Sequence, residues 1–394
     1  MNNPTFTYLI LGAGRQGTAA AYDLARFGQA RSIIIADYDP QRAHDSAARV
    51  NALIGSRLVE PRQLDVDHEN ELTGLMRQAD VALSAVPFRY NLAITRSAIL
   101  SGTHLCDMGG HTETVFAQLQ MSDQARQAQV SIVPDCGMGP GLVNTLGAYV
   151  IELLDQAQEV IIYDAGLPQN PQPPWNYELT FHINGLTNEM DGQAVFIRDG
   201  EICYVDTLTE KESIFFPPLG WLEADITSGG TSVAPWTYQG KLVRYENKVM
   251  RYPGHFDWLK AFKTLGLFSE QPVLVDKVKV IPRHVYHTLL EPKISSNQVE
   301  DICIMRAIGK GMRNDQDTTV TVDLIDTYDP MTGFTGMERL TGWHCSIMMV
   351  FQAFGKVTPG VIPVELAVPA SLFMEEIARR GIKFQIQWNP AEVP

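Results

Sequence analysis

Three glycines and an aspartate near the start of the chain have the spacing of a nucleotide-binding turn. Gly12, Gly14 and Gly17 lie in the string GAGRQG, between an apolar strand-like run and an Ala-rich helical stretch, and Asp37 ends the next apolar run. In such a turn the first glycine permits the sharp bend, the second lets the backbone approach a pyrophosphate, and the third allows close packing of helix on strand. The aspartate accepts hydrogen bonds from the ribose hydroxyls. The pattern predicts a bound dinucleotide, and the alternative is a Gly-rich turn of another α/β fold.

The charge of Asp37 favours NAD over NADP, because a carboxylate repels the 2′-phosphate that distinguishes NADP. The nearby Arg42 is the observation that argues against this preference. The other residues expected to contact the cofactor are Arg15 and Gln16 in the turn, Asp65 and Val66 after the third predicted strand, and Ala85, Val86 and Pro87 after the fourth. For Asp65 the alternative is a solvated acidic loop.

Further polar side chains follow strand-like runs at the positions where ligands bind. In open α/β sheets, ligands lie outside the carboxyl ends of the strands. Asp107 and His111 occur in the string DMGGH after one such run, and Asp135 follows another. A carboxylate at these positions can attract a cationic substrate or cap the next turn. The histidine can carry protons near neutral pH or satisfy local backbone groups.

The elements that must position these residues follow from the alternation of patterns along the chain. Over the first 150 residues, β-rich apolar runs alternate with helical stretches of about ten to fifteen residues. This alternation predicts a Rossmann-type doubly wound parallel sheet with helices on both faces. After about residue 155, strand-like runs follow one another directly, which predicts a second, mixed α+β domain. From residue 341 the pattern is helical again.

Composition disfavours several classes of protein. The chain has 394 residues, of which 45% are apolar and 19% are charged, and its net charge is −14. Such a composition is globular, and the negative charge disfavours binding to nucleic acid or to an anionic membrane surface. No apolar run is long enough to span a membrane, the start of the chain lacks the basic region of a signal peptide, and five widely spaced cysteines indicate reduced thiols. We therefore expect a soluble cytoplasmic protein.

Motifs for other chemistries do not occur in the sequence. There is no GxSxG string of a serine hydrolase, no HExxH string or grouped His and Cys for a metal, and no GK[ST] ending of a triphosphate-binding loop. The motifs that are present leave two classes of function, an NAD-dependent dehydrogenase or a sensor that binds NAD without turnover.

Strings along nearly the whole chain resemble the saccharopine dehydrogenase family, and most closely its lysine 6-dehydrogenase branch. They are GAGRQG, DMGGH, PDCGMGPGLVN, GLPQNPQPPWNY, TSGGTS, RYPGH, RLTGW and GVIPVE. The resemblance implies a dinucleotide-binding domain of residues 1–140 with 345–394, a substrate-binding and dimerisation domain of residues 141–344, and an active site in the cleft between them. It also implies that NAD oxidises the ε-amine of L-lysine to an imine, which hydrolyses to an aldehyde with release of ammonia.

Amine oxidation of this kind needs a base, because the amine must be neutral before it loses a hydride. His111, Asp107 and Asp135 are the candidates for proton transfer or for attracting the substrate ammonium. Each also has a structural alternative, since a histidine can bond to local backbone and an aspartate can cap a turn.

The substrate carboxylate needs a cationic clamp, for which an arginine is best suited. Arg244 and Arg251 are seven residues apart, so on a strand they would point to opposite faces. Arg251, beside a Pro-Gly turn, is the expected clamp, and a surface ion pair is the alternative. His255, at the start of a predicted helix, can contact the substrate or cap that helix.

The sequence leaves two further interpretations of the function open. A saccharopine-type or carboxyspermidine-type enzyme would bind a substrate with an additional carboxylate, so both Arg244 and Arg251 would lie in the cleft. A non-catalytic NAD sensor would bind the cofactor without turnover. We also expect a homodimer, because a mixed sheet leaves strand edges that can pair between subunits.

Overall fold

A computed structural model describes residues 6–296 and 299–390 of the chain. The first part alternates strands and helices: β1 (Phe6–Leu11), α1 (Arg15–Phe27), β2 (Ala30–Asp37), α2 (Pro40–Ile54), β3 (Val59–Gln63), α3 (Glu69–Met76), β4 (Val81–Ser84), α4 (Asn91–Ser101), β5 (His104–Asp107), α5 (Thr112–Leu119), α6 (Ser122–Gln127) and β6 (Ser131–Val133). A 3₁₀ turn at Phe88–Tyr90 precedes α4.

The second part is richer in consecutive strands. Its elements are α7 (Leu142–Glu152), β7 (Gln156–Pro168), α8 (Ile183–Glu189), β8 (Gln193–Arg198), β9 (Glu201–Asp206), β10 (Glu212–Phe216), β11 (Gly220–Ile226), α9 (Ala234–Tyr238), β12 (Arg244–Arg251), α10 (His255–Thr264), β13 (Val273–Val275), β14 (Val278–Val280), α11 (Pro282–Ile294), β15 (Asp301–Arg313) and β16 (Gln316–Thr327). The chain then forms α12 (Gly336–Ala353), β17 (Gly360–Val361), α13 (Val364–Ala367), α14 (Ala370–Arg379) and β18 (Lys383–Pro390).

The predicted Rossmann-type sheet is confirmed. Seven parallel strands lie in the order β17-β6-β5-β4-β1-β2-β3. The inner strands β1, β4, β5 and β6 are almost entirely buried because helices cover both faces, whereas the edge strand β3 buries only Val59. The register pairs Leu11 with Ser84, and Ser84 with Asp107. The carboxyl ends of β1, β4 and β5 therefore meet at one edge of the sheet.

The predicted second domain is a nine-stranded mixed sheet. Its main path is β10-β11-β12-β7-β15-β16-β18, and β8 and β9 form a hairpin that pairs with β12. Among the described residues of this sheet, β12 and β7 pair in parallel and the other pairs are antiparallel. From Val320 onward, β16 alternates buried and half-buried residues, because successive side chains point to opposite faces of the sheet.

The C-terminal segment joins both sheets. β17 pairs with β6 in the Rossmann sheet, whereas β18 pairs with β16 in the second sheet. Between them, α12 packs on α1 so closely that a Cβ at Gly342 would lie 2.6 Å from the carbonyl oxygen of Gln16. The return of the tail to the Rossmann sheet is thus observed for α12 and β17, and the limits of the two domains stay a prediction.

One hydrophobic core spans the two sheets. It contains buried side chains of α1 and α12 on the Rossmann side together with side chains of β7, β15 and β16 on the other. α7 lies between the two parts and is buried on nearly all sides, which fits its apolar sequence. Within the described part of the chain, every helix is too short or too polar to cross a membrane.

Candidate active site

The turn between β1 and α1 has the geometry that its glycines predict. Gly12 has φ of +107°, and a Cβ there would lie 2.6 Å from the carbonyl oxygen of Ala85. A Cβ at Gly17 would collide with the Gly12 carbonyl oxygen. Gly14 differs, because no atom lies within 4 Å of the position its Cβ would occupy, and as the residue before α1 it has no side chain to cap the helix. An open, uncapped helix N-terminus of this kind fits a pyrophosphate.

Asp37 lies at the end of β2 and faces this turn. Its Oδ2 accepts a hydrogen bond from the Ala13 N–H at 2.8 Å, and its Oδ1 accepts one from the Asp39 N–H at 3.0 Å. The carboxylate is therefore fixed beside the turn, where the ribose of a bound dinucleotide would lie. Arg42 forms an ion pair with Asp39 at 3.6 Å instead of with Asp37.

The other predicted cofactor residues surround the same edge of the sheet. Arg15 is exposed and lies 3.9 Å from Glu338 of α12, and Gln16 is half-buried beside it. Ala85, which donates from N–H to the Leu11 carbonyl at 2.8 Å, begins the segment that continues through Val86 and Pro87. Asp65 is exposed and accepts from the Asp67 N–H at 3.0 Å, while Val66 packs against the apolar core beneath. Their contact with a cofactor stays a prediction.

Asp107 is enclosed by hydrogen bonds at the end of β5. Its Oδ1 accepts from the N–H groups of Gly109 and Asp135 at 2.8 and 3.2 Å, and its Oδ2 accepts from Gln118 Nε2 at 2.8 Å. Burial raises the pKa of Asp107 to about 6 although these hydrogen bonds oppose the rise. Both oxygens are engaged, and one of these bonds holds the backbone of Asp135; a catalytic role for Asp107 stays a prediction.

Asp135 has one carboxylate oxygen in a firm hydrogen bond and one that lies close to a glycine loop. The residue is 2% exposed, and Ser232 Oγ donates to its Oδ2 from the loop after β11. Oδ1 lies against Gly109 and has no partner with hydrogen-bond geometry among the described residues. Burial and, second, the charge of Asp107 raise the pKa of Asp135 to about 7. The hydrogen bond from Ser232 and the nearby Gly110 N–H oppose this rise. A carboxyl group with a pKa near 7 is suited to proton transfer near neutral pH.

His111 is engaged with its own helix. It precedes α5, and its Nδ1 accepts from the Thr114 N–H at 3.3 Å, which caps the helix. Its ring stacks on Phe88 with the centroids 4.6 Å apart. The residue is exposed. The structure therefore places His111 in the local backbone contact that was its alternative, and a catalytic role for it stays a prediction.

Arg244 and Arg251 are the two candidates for the cationic clamp of the substrate carboxylate. Both belong to β12, at odd spacing, so their side chains point to opposite faces of the sheet. Arg244 pairs with Glu246, with Nε to Oε1 at 2.8 Å. Arg251 is 3% exposed, donates from Nη1 to the Met250 carbonyl at 3.0 Å, and lies 3.5 Å from Glu189 Oε2. Its Nε has no hydrogen-bond partner within the described chain.

His255 lies beside Arg251 in an aromatic pocket. It begins α10, is 1% exposed, and its ring lies 4.8 Å from that of Tyr177 and 4.6 Å from that of Trp258, centroid to centroid. Both ring nitrogens lack hydrogen-bond partners in the described part of the chain. Burial and, second, the charge of Arg251 hold the pKa of His255 well below its ordinary value, so the ring is neutral.

Asp164 lies between Arg251 and the Rossmann edge: burial raises its pKa, and the nearby charge of Arg251 opposes that rise. Asp164 of β7 accepts from Asn247 Nδ2 at 2.8 Å, and a Cβ at Gly139, just after Asp135, would lie 3.5 Å from Asp164 Oδ2. Asn247 in turn packs against Gly230 of the loop that carries Ser232. The structure therefore brings Asp107, Asp135 and Arg251 to one region between the sheets.

Four residues of this region were not predicted as site residues. They are Asp164, Glu189, Ser232 and Asn247. Ser232 belongs to the TSGGTS string, which marked its loop, but the other three stand in apolar or mixed strings with no motif of their own. Only the pairing of β7 with β12 and the packing of α8 against Arg251 bring them together.

Family models match the chain over nearly its whole length. The saccharopine dehydrogenase NADP binding domain matches residues 8–133, and the saccharopine dehydrogenase C-terminal domain matches residues 137–382. The chain belongs to the saccharopine dehydrogenase family. The resemblance read from the sequence strings is confirmed at the level of the family.

Individual relatives are distant. The chain is 21% identical to a saccharopine dehydrogenase [NADP(+), L-glutamate-forming] of Pyricularia oryzae, covering 60% of this chain and 54% of the relative. It is 22% identical to a carboxynorspermidine synthase of Vibrio cholerae, covering 60% and 59%. The matches thus span little more than half the length of these curated relatives. The solved structure of saccharopine dehydrogenase (L-Glu forming) from Saccharomyces cerevisiae matches with a TM-score of 0.79 at 16% identity, covering 98% of this chain and 100% of that one, which shows the shared fold.

Proposed function

We propose that this chain is an NAD-dependent dehydrogenase that oxidises the ε-amine of L-lysine to the semialdehyde. The reaction consumes one water and one NAD⁺ per protonated amine, and yields aldehyde, ammonium, NADH and one proton. The observation that carries the proposal is Asp135, a buried carboxyl group with a raised pKa and only one firmly hydrogen-bonded oxygen. It follows a strand of the sheet whose β1–α1 turn fits a pyrophosphate, and one buried arginine lies in the same region.

The residues divide the work as follows. Gly12, Gly14 and Gly17 would hold the pyrophosphate and Asp37 the ribose of NAD, which supplies the hydride acceptor when bound. Asp135 accepts a proton from the substrate ammonium and so produces the neutral amine. The same carboxyl group can return the proton to the departing ammonia.

Arg251 supplies the cation for the substrate carboxylate, because it is buried and its Nε is free to donate. Arg244 points to the other face of the sheet and is committed to Glu246. A single clamp supports a substrate with one carboxylate, such as lysine, over one with an additional carboxylate.

The relatives support a second candidate function. Both kinds are named for reactions of other substrates, a saccharopine dehydrogenase and a carboxynorspermidine synthase. A reductive amination or C–N cleavage by this chain would use the same cofactor turn and the same base. It is distinguished from lysine oxidation by its need for a carbonyl partner.

The test is a substrate panel followed by NADH absorbance. Purified protein is incubated with L-lysine, saccharopine or a polyamine. The reactions without a 2-oxo acid contain NAD⁺ or NADP⁺, those with a 2-oxo acid contain NADH or NADPH, and released ammonia is assayed. We expect L-lysine and NAD to give NADH and ammonia without an oxo acid. Activity that needs a carbonyl partner, or saccharopine as the donor, would select the second candidate. Cofactor binding with no turnover for any substrate would select the NAD sensor.

We further propose a homodimer in the cytoplasm. The location rests on five cysteines whose spacing suits reduced thiols. The dimer rests on the hairpin of β13 and β14, whose exposed apolar side chains are unusual for a monomer surface. They are Val273, Leu274, Val275 and Val278.

The dimer is tested by light scattering of a Leu274→Asp and Val278→Asp double variant. We expect the native protein to have the mass of two chains and the variant to have the mass of one chain. In the variant, each subunit would bury two unpaired charges at the interface. The control is Met331→Asp, at an exposed apolar residue elsewhere on the surface. A native protein that is monomeric at micromolar concentration would rule the dimer out.

A further inference from the structure

The surroundings of Arg251 contain more negative than positive groups. The carboxyl groups of Glu189 and Asp164 both lie close enough to Arg251 for its charge to lower their pKa values, although burial raises both overall. The direct contact is one long ion pair, Nη2 to Glu189 Oε2 at 3.5 Å, and not the paired geometry of a bidentate bridge. Asp164 is in addition held by Asn247.

Several buried polar atoms beside this cluster have no partner in the described chain. They are Arg251 Nε, the Tyr177 hydroxyl and both ring nitrogens of His255. The Arg251 guanidinium lies over the Tyr177 ring at 5.4 Å, and that ring adjoins His255. Buried polar groups are normally hydrogen-bonded, so four unused atoms around one ion pair indicate a polar ligand.

Arg251 and Glu189 differ in how far solvent reaches their charged groups. The Arg251 side chain is 3% exposed, whereas the Glu189 side chain is 28% exposed. A ligand can therefore reach the outer carboxylate of Glu189 while its own anionic group extends inward to Arg251. His255, being neutral, adds no positive charge that would repel a cation here.

We propose that Arg251 and Glu189 form a subsite for the α-carboxylate and the α-ammonium of a free amino acid, which makes Glu189 the residue that selects amino acids over simple amines and over ω-amino acids. This assignment deepens the proposed function and rests on it for the reaction at the far end of the substrate. The α-carboxylate replaces the weak contact of Glu189 with Arg251, and the α-ammonium then pairs with Glu189. Tyr177 and His255 offer the remaining donors and acceptors.

The experiment uses ligands that carry the head group without a reactive ε-amine. L-norleucine has both α-groups, hexanoate lacks the ammonium, and pentylamine lacks the carboxylate. Their affinities for the full-length protein in the presence of NADH are measured by calorimetry. We expect L-norleucine to bind about tenfold to a hundredfold more tightly than either analogue, the range typical of one charged hydrogen-bonded contact.

Glu189→Gln tests the assignment to this residue. The variant should bind L-norleucine and hexanoate with affinities within about threefold of each other, because the ammonium loses its partner. Glu201→Gln, at an exposed position of β9, is the matched control and should keep the native preference. The unfolding midpoint of each variant shows whether it is folded.

The native protein alone can overturn the proposal. Equal binding of L-norleucine, hexanoate and pentylamine would do so without any variant, and so would a Glu189→Gln protein that is folded and keeps the native preference. Failure of the proposed function looks different, since the substrate panel would give no NADH while the preference for L-norleucine persisted. Turnover of amines with no such preference would leave the oxidation standing and remove the head-group subsite.

Discussion

Asp135 is held in a state that is unfavourable for an isolated aspartate. Its backbone has φ of +61°, it is buried, and a second carboxyl group, that of Asp107, lies nearby. Its partner Ser232 also has a left-handed backbone, with φ of +44°. Non-glycine residues in this region are uncommon and concentrate at functional sites, where the surrounding structure stabilises them.

Asp135→Asn should remove a pH-dependent step from catalysis. In the native protein kcat/KM should rise with pH up to about 7 and then level off, because only the ionised carboxylate accepts a proton. The variant should lose about 10²- to 10⁴-fold in kcat together with that inflection. A pH profile of initial rates measures both. A variant that kept the native inflection would show that another group is the base.

The same substitution should stabilise the fold at alkaline pH. The pKa of Asp135 is raised from 3.8 to about 7 in the folded protein. Between these values the folded state holds a proton that the unfolded state has released, so stability falls as pH rises from 4 to 7. Asp135→Asn should therefore have a higher unfolding midpoint than the native protein at pH 8, with the difference vanishing toward pH 4. Thermal unfolding at the two pH values checks the sign.

Asp37 should decide between the two forms of the cofactor. In Asp37→Ser the negative charge beside the ribose is removed while Arg42 stays nearby, so the ratio of kcat/KM for NAD over NADP should fall by about tenfold. Asp37→Asn is a useful companion because its amide oxygen can still accept from the Ala13 N–H. An unchanged ratio in both variants would mean that this side chain does not face the ribose.

Contacts between site residues were predictable from sequence only where the two partners are close in the chain. The glycine turn and Asp37 lie within about one βαβ unit, so their spacing alone places them together. Asp135 and Ser232 are 97 residues apart, and Arg251 and Glu189 are 62 apart. These contacts depend on how the two sheets pack against each other, and a local sequence pattern does not predict that packing. Glu189, at the end of a short helix, has no sequence signal.

At the scale of elements, the β1–α1 turn uses its glycines for two different purposes. Gly17 is required by packing, because a side chain there would collide with the Gly12 carbonyl, whereas Gly14 faces open space with φ of −75°. Gly17 is therefore needed for folding, and Gly14 leaves room for the ligand.

The two glycines should therefore respond differently to alanine. Gly17→Ala should destabilise the protein by about 1–3 kcal/mol through overpacking. Gly14→Ala should cost about 1 kcal/mol or less, but it should lower NADH affinity by about tenfold or more because the methyl group occupies the place of the pyrophosphate. Chemical unfolding and NADH fluorescence titration separate the effects. Normal cofactor affinity in Gly14→Ala would contradict this use of the turn.

Elements were predictable where hydrophobic periodicity was strong. The alternation of strands and helices over the first 150 residues gave the parallel sheet, but not the place of β18. That strand pairs with β16 in the second sheet, although the tail as a whole was predicted to return to the first. Its eight residues alternate in polarity and so indicate a strand, but nothing in them specifies which open edge it joins.

At the scale of the molecule, the C-terminal helices are anchored to the nucleotide-binding helix by buried charges. Arg380 follows α14, and its Nε donates to both oxygens of Asp23 in α1 at 2.8 and 2.9 Å. Ser346 of α12 donates to Asp23 Oδ2 at 2.6 Å. Both charged side chains are fully buried. Arg380 also pairs with Glu376 of α14, whereas Asp23 has Arg380 as its countercharge.

Arg380→Met should destabilise the protein by about 3–5 kcal/mol, since it leaves Asp23 buried without its countercharge. Adding Asp23→Asn should restore much of that loss, because an amide is less costly to bury than an unpaired carboxylate. Urea unfolding of the native, single and double variants measures the coupling. Simple additivity of the two substitutions would show that the pair is not the source of the effect.

The path of the last fifty residues has a consequence for how the protein can be taken apart. β17 pairs in the first sheet and β18 in the second, so the chain passes between the two sheets three times. Each sheet therefore contains a strand from a distant part of the chain. We therefore expect that a single cut in the chain does not release either sheet and its helices as a domain that folds on its own. If the two sheets with their helices are expressed as separate chains, we expect them to fold stably only when mixed. The segment from α12 to β18 would then hold the two parts together.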